Sequence, residues 1–599
     1  MMITSKSLKR IRAIFLISLM GVFSSLAFAE SSIGGITNGD GLQSRIAHSD
    51  RSSEANPTET NASSSTNAEV TINTQIQKPV FANFSGFNYD ISSGPVPYNN
   101  LGFQHIIQSF SPAVLRYPGG TISDTFNWKI GGYDLTPEKT PKWTMNNIFR
   151  AYNTNVKGVR DWAKKCEEKA AICMGKGGMP LYESVGLSKN IGDAKIVICV
   201  NTITDPPRSA YELAYRVAKE KMPVTVFSLG NECYSIISPT GKPNDLPGLP
   251  ASGIPPDVPG TFVSGEDYAE KMIPYYDAIK SGYRDAGEDP RNAVVAIIGD
   301  SIKMYDIDPK NHFNKSKWDS GLIHFTQTNS RGQYWDAVDL HEYVTRAKTL
   351  DESLKRCNSY LMFGTASYIS DIWKPSSKPD TKFLFTEYAA CNELTGTLYG
   401  GLFCAEFAMR LSAEAGVLHA MNHLRRTPDG IDVPEYKAWE NKLIGAARSG
   451  HVLNVSQVDF HPSVSAQLIV QGVANLALNN SDRLFKTTLS GGPNVPAGFN
   501  KTVQIPAIYA QAYHGKNGKN FLLLVNKGAK AASVNIDLDH QTGTLFTVFC
   551  VSSTNPAFRA TFDASGKILQ PSADNLTLVS WKAVKNVVLP GYAVARLEW

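Results

Sequence analysis

Two glutamates each close a short apolar run: residues 224–229 lead through Gly230 and Asn231 to Glu232, and residues 383–386 lead to Glu387. Runs rich in Val, Phe and Leu read as buried strands, and a carboxylate at the end of one is costly to bury unless it has a task. Paired carboxylates of this kind suit a retaining glycosidase. One, protonated, gives its proton to the departing oxygen; the other attacks the anomeric carbon, with the two about 5–5.5 Å apart. Glu232 and Glu387 are far apart in sequence, so only a closed fold can bring them together.

The intervening pattern supplies such a fold. Strands are expected over 86–89, 114–117, 196–201, 224–229, 293–298, 337–343, 383–386 and 417–422. Helices are expected between them, over 101–109, 145–166, 210–221, 265–286 and 398–415. Strands alternating with helices imply parallel pairing through right-handed crossovers, and eight of them fit a closed (β/α)8 TIM barrel. An open doubly wound sheet is disfavoured because no glycine-rich phosphate loop follows the first strand. In a barrel the C-terminal strand ends build the active site, which is where both glutamates fall. A Pro- and Gly-crowded insertion over 238–259 would lie on that rim.

After about residue 449 short alternating runs take over, at 467–470, 507–512, 521–525, 532–538, 545–550, 576–579 and 593–597. Gly, Asn, Ser and Pro punctuate them, as in an antiparallel β-sandwich. The expected division is a leader over 1–29, a spacer over 30–69, one or two strands over 70–84 that join the sandwich, a catalytic barrel over 85–449 and the sandwich over 450–599.

The 599-residue chain has a formal net charge of +5, of which Lys6, Lys9, Arg10 and Arg12 supply four. Without them the chain is close to neutral, which argues against a nucleic-acid or acidic-membrane surface. Those cations precede an apolar stretch over 13–26 and then Ala27-Phe28-Ala29, the pattern of a cleaved export signal. The stretch is shorter than the roughly 20 residues of a spanning helix, so the mature protein is expected to be soluble and secreted or periplasmic. Residues 31–68, rich in Ser, Thr and Asn, cannot bury enough surface to offset their ordering entropy. Among the eight cysteines, Cys166 and Cys173 are the candidate local pair, whereas Cys199, Cys233, Cys391 and Cys404 read as small buried apolar residues. No cysteine spacing resembles a zinc site, and no metal or organic cofactor is expected.

Four short motifs occur in order: Leu115-Arg116-Tyr117-Pro118-Gly119-Gly120, Gly230-Asn231-Glu232, His341-Glu342-Tyr343 and Thr386-Glu387-Tyr388. Together they resemble the clan A glycoside hydrolases, most closely the α-L-arabinofuranosidase family and less closely the heparanase and β-glucuronidase group. Asp124, Asn127 and Trp128 follow the first motif as in arabinofuranosidases. The C-terminal Leu589-Pro590-Gly591-Tyr592 looks like that family's second domain. The resemblance implies that Glu232 is the general acid/base and Glu387 the nucleophile, acting on an oligo- or polysaccharide.

Physical chemistry agrees with that division of roles. The acid needs a pKa raised by burial and negative charge, while the nucleophile must stay ionised. Arg116 would hold Glu387 through a charge-assisted hydrogen bond, and Tyr343 would donate a further one. Asn231 would meet the sugar 2-hydroxyl. His341 and Tyr343, two apart on a strand, share a face, and Glu342 points the other way. Asn201, and Asn422 or His419, are candidate sugar contacts; Trp128 and Trp143 are candidate stacking platforms. One departure concerns the first strand. Where arabinofuranosidases carry a glutamate that holds the furanose, this chain reads Gly86-Phe87-Asn88-Tyr89-Asp90. An endo-acting or uronide-specific hydrolase is therefore an alternative, with Lys129, Arg425 and Arg426 as candidate cations. A catalytically silent carbohydrate-binding protein is a further one, as is an adhesin, though the sandwich shows no aromatic stripe.

Overall fold

The computed structural model describes residues 67–89, 107–133, 179–235, 262–300, 316–424, 463–562 and 576–599, isolated positions excepted, and a few short pieces between them. The leader, nearly all of the spacer, the helix expected over 145–166, most of that over 101–109, the 238–259 insertion and the Cys166–Cys173 pair lie outside the described residues.

Eight parallel strands pair in chain order and close on themselves: Ser85–Tyr89, Val114–Tyr117, Lys195–Val200, Val224–Leu229, Val294–Ile298, Ala337–Tyr343, Lys382–Ala389 and Val417–Leu424. Each coincides with an expected strand to within a few residues. They read as continuous apolar runs because both faces are covered, by helices outside and by packed side chains inside. Val114, Val197, Val226, Ala296, Ala337, Leu384 and Met421, one from each of strands two to eight, form a single interior layer. Two residues further on the same face returns, and apart from Ile298 and the Cys199 thiol the residues there are polar: Arg116, Ser228, Asp339, Thr386 and His423. An apolar floor thus carries a polar upper layer.

The helices follow simple sequence rules. Pro207–Lys219 has proline in its first turn and buries Ala210, Leu213, Ala214 and Val217 along one face. Gly265–Asp285 starts from Ser264, whose hydroxyl accepts from the Asp267 amide, with Glu266 and Asp267 at its positive end. Leu398–Ala413 is buried on almost every side because it lies between barrel and C-terminal sheet.

One expectation is overturned. Residues 467–470 are not a strand but part of the helix Ala466–Asn479, capped by Ser465, whose hydroxyl accepts from the Leu468 amide at 3.2 Å. A short apolar run does not distinguish a strand from a helix buried all round. This helix packs on helix Leu398–Ala413 and leads into the strand Ser481–Gly491 of the second sheet. Its Gln467, Gln471, Asn475 and Asn479, four apart, form one polar stripe turned to the barrel. Asn475 accepts from Ser85 Oγ at 2.6 Å, and Asn479 accepts from the Ser85 amide at 2.8 Å.

The second domain is a nine-stranded, mostly antiparallel sheet in the order Thr577–Ala583, Phe546–Ser552, Ala593–Glu598, Phe521–Asn526, Ile508–Gly515, Ser481–Gly491, Asn67–Pro79, Ala532–Leu538 and Asn586–Leu589. The strand Asn67–Pro79 enters this sheet antiparallel to Ser481–Gly491 and parallel to Ala532–Leu538. All nine strands send side chains into one core. Along Phe521–Asn526 the alternation is visible: Leu522 and Leu524 join that core, whereas Phe521, Leu523 and Val525 pack with the barrel helices. A buried ion pair, Lys527 Nζ to Glu406 Oε2 at 2.5 Å, ties the sheet to helix Leu398–Ala413. The six described cysteines are all buried free thiols. Among the described residues no helix is long and apolar enough to cross a membrane.

Candidate active site

Glu387 owes its direction to an irregularity in the seventh strand. Pairing with the sixth strand slips between Phe385 and Glu387, so Phe385 pairs with Leu340 and Glu387 with His341. A bulge of this kind lets consecutive residues face the same side. Thr386 and Glu387 both turn inward; Glu387 is 4% exposed. Arg116, on the second strand, reaches Glu387 Oε1 with Nη1 at 2.5 Å and Asn231 Oδ1 with Nη2 at 3.0 Å. The Tyr343 hydroxyl donates to the other carboxylate oxygen, Oε2. His341 Nδ1 and His423 Nε2 each lie 3.7 Å from that same oxygen.

Glu232 stands just beyond the fourth strand, on a turn that only particular residues can form. Gly230 has φ 99°, and a Cβ there would come within 2.6 Å of Cys233 Sγ and 2.9 Å of Thr202 Oγ1. Glu232 itself is left-handed, with φ 45°, an uncommon and strained state for a residue with a side chain. The Asn231 amide anchors the turn by donating to Asp124 Oδ1 at 2.7 Å. Glu232 Oε1 accepts from the Tyr234 hydroxyl at 2.9 Å and lies 3.0 Å from His341 Nδ1. One oxygen of each glutamate and a ring nitrogen of His341 all lie within 4.8 Å of one another.

The surroundings of Glu387 fix its charge. Burial alone would raise the Glu387 pKa, but His341, His423 and Arg116, with the Tyr343 hydroxyl, outweigh it and hold the group well below the usual carboxylate range. Glu387 is therefore ionised at neutral pH. The Glu232 side chain is 25% exposed and open to an incoming group, against 5% for Glu387. His341 is disfavoured as a cation by burial, yet Glu387 and Glu232 raise its pKa above the ordinary 6.5. Burial pushes the Cys199 thiol beside Arg116 up to about 12, so it stays neutral. Glu232, His341 and Glu387 are close enough to meet one cation, but the guanidinium on Glu387 already supplies the positive charge and opposes a second.

The structure thus brings together Arg116, Asn231, Glu232, His341, Tyr343 and Glu387. It does not bring Asn422 with them: Asn422 points out of the barrel, where its Oδ1 accepts from Gln467 Nε2 at 3.3 Å. The inward residues of the eighth strand are His419, Met421 and His423, so His423 takes the position expected of Asn422. His419 faces inward but too low, 3.2 Å from Thr225 Oγ1 and 2.9 Å from the Asn83 carbonyl, and burial lowers its pKa to about 4. Asn201 braces its own loop, accepting from the Ile203 amide at 3.1 Å and donating to the Phe126 carbonyl at 3.3 Å. Trp128 is buried against helix Pro207–Lys219, its Nε1 donating to Ser209 Oγ at 3.0 Å, and Lys129 pairs with Glu212. Trp143, Arg425 and Arg426 lie outside the described residues.

Several participants carried little or no sequence signal. Tyr234 follows Glu232 by two residues, and Asp339 and Ser228 look like ordinary strand residues. Asn88 pairs in register with both Arg116 and His423, so its side chain enters the same interior. It is fully buried, and neither of its polar atoms has a hydrogen-bond partner among the described residues. Asn231 Nδ2, Asp124 Oδ2 and His423 Nδ1 are in the same condition. Each of these residues adjoins Arg116 or Glu387.

No family model matches the chain, and no curated protein matches it in sequence. Solved structures do. The GH51 arabinofuranosidase from Xanthomonas axonopodis pv. citri aligns over 89% of this chain and 99% of its own, at 15% identity and TM-score 0.58. A family 51 α-L-arabinofuranosidase from Bifidobacterium longum covers the same shares at 16% identity and TM-score 0.56. A glycoside hydrolase family 44 xyloglucanase from Paenibacillus polymyxa does so at 12% identity and TM-score 0.50. At these identities the likeness is one of fold: a barrel and a β-domain arranged as in clan A glycoside hydrolases.

Proposed function

We propose that the protein is a retaining glycoside hydrolase of the arabinofuranosidase type, acting on O-glycosidic bonds of an oligo- or polysaccharide outside the cytoplasm. The observation that carries this reading is the pairing of an ionised Glu387, held by Arg116 and Tyr343, with a partly exposed Glu232 within 4.8 Å. That spacing suits direct attack on the anomeric carbon rather than attack by an interposed water, which needs about 6.5–9.5 Å. The fold shared with family 51 and family 44 enzymes supports the same class, and the N-terminal leader pattern supports export.

In the first step Glu387 attacks the anomeric carbon while Glu232 gives its proton to the departing oxygen. The bond between them breaks and a glycosyl ester forms on Glu387. That ester carries no carboxylate charge, and in the second step Glu232, having given up its proton, acts as base. It then takes a proton from water, which attacks the ester and restores Glu387. Asn231, fixed by Arg116 and by Asp124, presents Nδ2 to the sugar 2-hydroxyl, a contact that strengthens as positive charge develops on the ring. An endo-acting or uronide-specific hydrolase on the same barrel is the second reading. It is favoured by one observation: Asn88, not a glutamate, faces the sugar pocket from the first strand.

A panel of 4-nitrophenyl glycosides, including α-L-arabinofuranoside, β-glucuronide, β-xyloside and β-galactoside, tests the reading on wild type and Glu387→Ala. Turnover of at least one by wild type, abolished in the variant, is expected. Undiminished turnover by Glu387→Ala, or none of any glycoside by wild type, would overturn it.

A further inference from the structure

Behind the two carboxylates runs a hydrogen-bond chain that the double displacement leaves without a task. Asp339, fully buried, accepts from Ser228 Oγ at 2.6 Å and from Thr386 Oγ1 at 2.7 and 2.9 Å to its two oxygens. Thr386 Oγ1 also lies 3.1 Å from His341 Nε2. A hydroxyl carries one proton. Donated to Asp339, that proton leaves Thr386 Oγ1 as an acceptor, and the contact with His341 then requires hydrogen on Nε2. The other ring nitrogen, Nδ1, faces Glu232 Oε1 at 3.0 Å, an oxygen that also accepts from Tyr234. The charged or titratable groups around this ring are Glu232, Glu387, Arg116 beyond Glu387, Tyr343 and, through Thr386, Asp339.

We propose that Asp339 and Thr386 are positioning residues for proton transfer: they hold hydrogen on His341 Nε2, so that a ring protonated on both nitrogens donates from Nδ1 to Glu232 Oε1 and the transferable proton of Glu232 is carried on Oε2. The proposal rests on the reading of Glu232 as acid/base. The logic is that of an outer hydrogen-bond partner that sets the protonation and orientation of a functional imidazole. Without the chain Nε2 has no acceptor, so the ring sheds that hydrogen and its fixed orientation, and the proton on the carboxyl group is no longer aimed at the departing oxygen. The raised pKa of His341 agrees with a ring that donates from both nitrogens. The bulge that turns both Thr386 and Glu387 inward is what lets one strand serve acid/base and nucleophile together.

Thr386→Val keeps the side-chain shape and removes the hydroxyl, whereas Thr386→Ser keeps the hydroxyl. Both are measured on a phenyl and a 2,4-dinitrophenyl glycoside of a sugar that wild type turns over. Dinitrophenolate departs with little help from an acid. Thr386→Val is expected to lower kcat/KM about 10²-fold on the phenyl glycoside and only about threefold on the dinitrophenyl one. Thr386→Ser is expected to recover the wild-type ratio. Equal losses on both substrates would mean a structural role only and would overturn the proposal. A second readout needs no turnover: NMR of protein with 15N-labelled histidine, with the His341 signals identified by their loss in His341→Gln. Hydrogen on Nε2 in wild type and Thr386→Ser, lost in Thr386→Val, is expected. A wild-type His341 with no hydrogen on Nε2 would sink the inference even if glycosides are hydrolysed. Failure to hydrolyse any glycoside overturns the enzymatic reading instead, and the NMR result still decides this one.

Discussion

Thr386 and Glu387 are adjacent in the chain, yet both side chains point into the barrel: Thr386 Oγ1 bonds Asp339, and Glu387 Oε1 bonds Arg116. Regular strand alternation forbids this, and the slip in pairing between Phe385 and Glu387 permits it. The seventh strand can therefore reach His341, and through it Glu232, with one residue and hold Arg116 with the next.

Arg116 holds Glu387 with one nitrogen and Asn231 with the other, a planar fork that an ammonium group cannot imitate. Arg116→Lys is expected to keep the fold and to lower kcat about 10²–10³-fold. Arg116→Ala, which leaves a buried carboxylate uncompensated, is expected to cost about 3–5 kcal/mol of stability as well. Denaturant unfolding and steady-state kinetics separate the two effects. Wild-type kcat in Arg116→Lys would contradict the assigned geometry.

His423→Ala and Asn422→Ala form a matched pair on the eighth strand. His423 lies 3.7 Å from Glu387, whereas Asn422 faces Gln467 outside the barrel. The first substitution is expected to lower kcat/KM by about tenfold or more. The second is expected to leave kcat/KM within about twofold and to lower stability by about 1 kcal/mol for the lost hydrogen bond. The reverse order would show that the eighth strand is turned the other way.

This pair also marks where the sequence stops being informative. The eight barrel strands were legible because a buried parallel strand is a continuous apolar run of limited length. Glu232, Glu387, Arg116, Asn231, His341 and Tyr343 were legible because each sits at a strand end or within a short motif. The same continuity hides which residues face inward, so Asn422 could not be told from His423, nor the buried helix Ala466–Asn479 from a strand at 467–470. The bulge at Thr386 left no sign, because it depends on how neighbouring strands pair and not on the residues that form it. Asp339 and Ser228 gain their meaning only from Thr386 and His341 across the barrel.

The raised pKa of His341 has a consequence for stability. The native protein binds this proton more tightly than the unfolded chain, so the contribution is fully present below the ordinary value of 6.5. It is lost as pH rises through the higher native value. The stability gap between wild type and His341→Gln is therefore expected to be larger at about pH 5.5 than at about pH 9. Glu387 works in the opposite sense, since its depressed pKa stabilises the fold above the unfolded carboxylate value and fails only in strong acid. Urea unfolding at the two pH values checks this, and a gap that widens toward alkaline pH would contradict it.

Glu406 and Lys527 form a buried pair between barrel helix and sheet, and Arg410 also contacts Glu406 at 2.8 Å. Lys527→Met, which leaves the glutamate with Arg410 alone, is expected to destabilise the protein by about 3 kcal/mol. Glu406→Gln with Lys527→Met is expected to recover part of that loss. Thermal unfolding of the single and double variants measures the coupling, and additive losses would show that the pair does not interact.

The central claim, Glu387 as nucleophile and Glu232 as acid/base, is tested most directly by azide rescue on whichever aryl glycoside wild type hydrolyses. Glu387→Ala is expected to lose more than about 10⁴-fold in kcat. With azide it should regain turnover and release a glycosyl azide of inverted configuration. Glu232→Ala should yield the azide of retained configuration, because azide then attacks the glycosyl-enzyme on Glu387. Retained product from Glu387→Ala, or inverted product from Glu232→Ala, would contradict the assignment.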